Sequence, residues 1–122
     1  MHDDLSDHLK KSFREACDLF NNQKWYEAHD AFENIWNQLD GHERQVIQGI
    51  LQVSVSQFHL SKGNKNGATI LLGEGLGRIK SRQNLNLGID LVSFCQNLEL
   101  LLYKLQADVL LTTNDIPHLN KI

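Results

Sequence analysis

From the N-terminus to Pro117, the single proline of the chain, apolar residues recur every three or four positions with nothing to interrupt a helix. That period corresponds to about 100° per residue, the geometry of an α-helix, and no segment sustains the two-residue alternation of a strand. The fold class that follows is all-α: a single compact bundle of about five helices over residues 1–112, then an irregular tail over 113–122. At 122 residues, 41% of them hydrophobic, the chain has material for one core.

The pattern predicts a first helix from Asp3 to Phe20, with Asp3 or Asp4 as N-cap and Leu5, Leu9, Phe13, Ala16 and Phe20 facing inward. Asn21 and Asn22 mark a turn. A second helix runs from Trp25 to Leu39 and is closed by Asp40 and a left-handed Gly41. The third, His42 to Ser61, is apolar on two flanks, as a helix central to its bundle must be. The fourth, Lys65 to Ser81, carries Gly73, Gly75 and Gly77, which do not match a dinucleotide-binding loop and follow no strand. Their predicted role is close helix packing through Gly73 and Gly77. A fifth helix from Ile89 to Leu110 has more apolar surface than one narrow stripe can hold, which predicts either deep burial or a homodimer.

A line of polar and ionisable residues crosses this apolar framework. His29, Glu33 and Trp36 share one side of the second helix with Trp25, and Arg44, Gln48, Gln52 and His59 follow one another along the third. Ionisable groups on core-facing surfaces require partners, so the two lines are expected to meet, with Glu33 within hydrogen-bond reach, directly or through one water, of at least one of Arg44, Gln48, Gln52 and His59. His29 and Glu33, one turn apart, supply half of a site for a divalent transition metal, and His59 is the natural third ligand. Glu43 and Glu27 lie off the line. The spacing differs from HExxH, so no general base is set up as in a zinc protease.

The residues Trp25-Tyr26-Glu27-Ala28-His29, Glu33, Trp36, Gly41, Glu43-Arg44, Gln48-Gly49, Gln52, His59, Gly63-Asn64 and Gly67-Ala68 occur in an order that resembles domain of unknown function 309. This is a bacterial and archaeal helical family marked by HxxxExxW, here His29 to Trp36. The resemblance spans residues 13 to 80 and implies a compact helical bundle whose His/Glu motif binds metal; it implies no reaction. Lys24 to Phe32 also resembles the helix junction of a tetratricopeptide repeat, but no second copy appears one period later, at residues 58 to 66.

A net charge of −3 with scattered basic residues excludes the electrostatic footprint of a nucleic-acid or membrane-surface binder. Cys17 and Cys95 show neither a CxxC pair nor a disulfide spacing, and the N-terminus lacks the basic flank and apolar run of a signal peptide, so a cytoplasmic protein is expected. Three readings of the polar line compete. It is a pocket for a small ligand or metal, lined by Trp25, His29, Glu33, Trp36, Arg44, Gln48, Gln52 and His59; or the centre of a metal-assisted hydrolase; or a structural network inside a helical interaction module. No Ser, Cys or Lys stands beside a base to favour the enzyme.

Overall fold

Residues 5–122 are described by a computed structural model, in which five helices follow one another: α1 (Asp7–Asn21), α2 (Trp25–Trp36), α3 (Gly41–Ser61), α4 (Lys65–Lys80) and α5 (Leu91–Gln106). Each packs on the next, and contacts between opposite ends make the neighbours antiparallel. Phe20 meets Trp25 and Phe13 meets Phe32 across α1 and α2. The Ser56 hydroxyl donates to the Ala68 carbonyl, whereas Arg78 reaches back to Gln45, across α3 and α4. Phe20 also meets Phe94 edge-on at 5.9 Å, so the first and last helices close over one core.

The helix ends depart from the sequence pattern in three places. Asp3 and Asp4 lie outside the described residues; Ser6 is the N-cap of α1, accepting from the Leu9 amide. The second helix stops at Trp36, three residues before Leu39, and the left-handed Gly41 (φ +63°) begins α3 instead of closing α2. The fifth helix is shorter at both ends. Ile89 pairs with Lys121 in an isolated bridge, Asp90 caps the helix through the Ser93 amide, and Asp108 turns left-handed (φ +57°) beyond Gln106.

The glycine expectation is corrected. Space around Gly73 and Gly77 is open, and the close approach is between Gly49 of α3 and Gly75 of α4. These two sit on the facing sides of helices that cross backbone to backbone, whereas Gly73 and Gly77 lie on other sides of α4.

The tail forms a 3-10 turn at Thr113–Asp115 and then returns to the bundle. Asn21 clamps Leu119 from both sides, its Nδ2 donating to the Leu119 carbonyl and its Oδ1 accepting from the Leu119 amide. Among the described residues, no helix is long and apolar enough to cross a membrane.

Candidate functional site

The third helix is buried on both flanks, as its sequence predicts, because α2 and α4 take one flank each. Its back, with Val46, Ile50, Val53 and Gln57, faces the core. The stripe Arg44, Gln48, Gln52, Val55 and His59 therefore lies in the outward gap between α2 and α4. Every member of it is half-buried, none fully. The stripe is an open groove floor and not an internal network.

The groove divides the predicted residues into separate groups. At one end Arg44 lies over Trp36, its guanidinium carbon 3.7 Å from the ring centroid. In the middle, Gln52 turns to α4, donating to Glu74 at 3.1 Å and accepting from Arg78 Nε at 3.0 Å. Gln48 makes no hydrogen bond among the described residues. At the other end, Trp25, Tyr26 and His29 of α2 and Val55, Phe58 and His59 of α3 line a cleft of about 230 Å³ with almost wholly apolar walls.

Among the described residues, Glu33 makes no direct hydrogen bond to Arg44, Gln48, Gln52 or His59. Its side chain is 54% exposed, and its polar neighbour is His29, with Nε2 to Oε2 at 3.7 Å. The expected triad of His29, Glu33 and His59 is not brought together: among the described residues, no three His, Cys, Asp or Glu side chains converge to hold a metal ion. The cause is the antiparallel register of α2 and α3. With Trp36 beside Arg44 and the Trp25 carbonyl accepting from Ser54, His59 falls level with the start of α2. Glu33 is eight residues further on, about 12 Å along the helix.

Two hydrogen bonds fix the histidine rings at the cleft. Asn64 uses its Oδ1 to cap α4 through the Gly67 amide, which turns its Nδ2 toward His59 Nδ1 at 3.4 Å. In the neutral ring, the His59 proton then resides on Nε2. His29 donates from Nδ1 to Asp30 at 3.2 Å, and its Nε2 lies 3.7 Å from the Glu33 carboxylate. Both His29 nitrogens are thus turned to carboxylates and His59 Nδ1 to Asn64, and the cleft walls stay apolar.

Tyr26, Val55 and Phe58 complete the cleft although none was among the candidate residues. Tyr26 adjoins Trp25, Val55 belongs to the stripe, and Phe58 lies one turn from both Val55 and Lys62, so their shared helical face was the available signal. Arg78, Gln45 and Glu74 left no such signal, because the α3–α4 pairing that brings them in is long-range.

A larger cleft, about 590 Å³, lies between α1, residues 87–89 and the tail, with Lys10, Lys11, Arg14 and Lys121 among its lining residues. Its floor includes Cys17, whose thiol burial pushes up to about 12, with the Asp18 charge adding to the effect.

A search of curated proteins found no match to this chain. Residues 13–71 match the family model described as Domain of unknown function (DUF309), a stretch that holds the whole groove floor and the aromatic cleft but not Glu74 or Arg78. With its HxxxExxW segment and the glutamines, histidine and glycines that follow it in place, the segment 13–71 of this chain is a match to the DUF309 family.

Proposed function

We propose that this protein binds a small molecule with a single aromatic ring in the cleft between α2 and α3. The observation that carries this reading is the cleft itself, which gathers Trp25, Tyr26, His29, Val55, Phe58 and His59 around about 230 Å³. An apolar cavity of roughly 150 Å³ accommodates benzene, so this volume suits one ring with small substituents. Apolar walls with a few placed polar groups are the usual make-up of a ligand site. With both His29 nitrogens turned to carboxylates and His59 Nδ1 to Asn64, the cleft favours a largely apolar ring with a small polar substituent, such as a simple phenol or heteroaromatic.

The test is a titration of single-ring phenols and heteroaromatics followed through the two tryptophan indole N–H resonances. Saturable shifts at Trp25, with Trp36 unmoved, support the reading. A library in which no compound moves Trp25, or moves both indoles equally, contradicts it.

A second reading is favoured by the outer face of α5, where Val92, Leu100 and Tyr103 are exposed in one row while Phe94, Cys95, Leu98 and Leu101 fill the core. We propose that two copies pair through this row, which a solution mass of twice 14.0 kDa at high concentration supports and a strictly monomeric mass contradicts.

A further inference from the structure

Lysines and arginines are treated differently in this fold. Four of the eight lysines, Lys10, Lys65, Lys80 and Lys104, pair with a carboxylate, whereas none of the four arginines, Arg14, Arg44, Arg78 and Arg82, does so among the described residues. Two of the four, Arg44 and Arg78, stand on either side of Gln48 in the groove.

Arg44 is held by stacking on Trp36, which fixes the guanidinium plane without using its donors. Its Nε and the Trp36 Nε1 are buried with no acceptor. The two Nη groups are neither bonded nor buried, so the outer edge of the fork is open. Arg78 spends Nε on Gln52 and one Nη on Gln45, at 3.0 and 2.7 Å, and keeps the other Nη free. Gln45 and Gln52 flank Gln48 along α3, so Arg78, bridging them, runs beside Gln48, whose amide also has no partner among the described residues. Glu74 is turned toward Gln52 and Glu33 toward His29, so neither carboxylate satisfies the two guanidinium groups.

Unpaired donors that the fold immobilises but does not satisfy mark a place where stability has given way to something else. We propose that Arg44, Gln48 and Arg78 form a site for an oxyanion, a carboxylate or phosphate group of a small molecule. The flat outer edge of the Arg44 fork can donate to two oxygens side by side, the geometry in which guanidinium selects these groups. Stacking on Trp36 removes most of the rotamer freedom that an exposed arginine loses on binding. The site lies at the opposite end of the groove from the aromatic cleft and does not depend on that cleft being occupied.

The test is a titration with inorganic phosphate and, separately, with acetate, at constant ionic strength set by chloride. The Trp36 indole and the arginine Nε resonances report on this site, and the Trp25 indole reports on the aromatic cleft. The proposal predicts a saturable shift of Trp36 with at least one of the two anions, with Trp25 unmoved. Arg44→Gln lowers that anion's affinity by about tenfold or more, and Arg14→Gln leaves it within about twofold. The preferred anion identifies the group as phosphate or carboxylate. A shift that does not saturate, equal shifts with chloride, or unchanged affinity in Arg44→Gln overturns the proposal. Should Arg44→Gln fail to fold, Arg78→Gln decides: a drop of about threefold or more sustains the site, and unchanged affinity overturns it.

Discussion

Gly49 of α3 and Gly75 of α4 meet backbone to backbone: a Cβ on Gly75 would stand 2.7 Å from the Gly49 carbonyl oxygen, and one on Gly49 would stand 2.8 Å from the Gly75 carbonyl oxygen. No backbone atom can yield at that distance without the helices parting. This crossing sets the separation of α3 and α4, and with it the reach of Arg78 to Gln45 and Gln52.

Alanine at Gly49 or Gly75 should therefore destabilise the protein by about 1–3 kcal/mol. Gly73 and Gly77 have open space and no positive φ, so alanine there should stabilise α4 by about 0.5–1 kcal/mol each. Denaturant melts of the four single variants check both signs.

Glu33→Ala should change stability by no more than about 0.5 kcal/mol, because an exposed carboxylate 3.7 Å from one half-buried histidine has little to lose. The same melt, repeated with excess zinc and with chelator, should superimpose. A zinc-dependent rise in the midpoint that Glu33→Ala abolishes would restore a metal site at this motif.

Acid should loosen the docked tail. Asp115 is held below the usual carboxylate range chiefly by the hydrogen bond from Lys104 Nζ at 2.6 Å, with the Thr112 amide adding to it. A group whose folded pKa is depressed contributes stability above its unfolded pKa and loses it as pH falls through the folded value. The contribution is intact at neutral pH and fades below about pH 4. Asp115→Asn should lower stability at pH 7 and flatten the acid limb, as denaturant melts across that range will read out.

Both thiols should be silent in the native state. Burial raises Cys17 to about 12 and Cys95 to about 11, the second also through Glu99. At pH 8 the reactive thiolate is scarce and covered, so labelling by an aromatic disulfide should be about a hundredfold or more slower than in denaturant at both positions. Labelling at the denatured rate would contradict the placement of both side chains.

The helices were legible because each records its burial locally. Phe13, Phe20 and Phe32 fall on the period that predicts them, and the doubly apolar flanks of α3 identify it as central. The site was only partly legible. Periodicity places Glu33 and His59 on the sides of their helices that adjoin the same groove, but it carries nothing about the axial register that sets them two turns apart. Nor does it distinguish a core-facing stripe from an outward gap between two covered flanks, since both leave the same helical spacing. Arg78 enters through the glycine crossing of α3 and α4, which no short window of sequence contains.

The measurement that tests the central reading most directly is ligand affinity in Val55→Phe, which adds bulk to the wall of the cleft and leaves Arg44, Gln48 and Arg78 untouched. For the best single-ring ligand, affinity should fall by about tenfold or more while phosphate or acetate shifts at Trp36 persist. Unchanged affinity for that ligand in folded Val55→Phe would contradict the assignment of the cleft between α2 and α3 as the binding site.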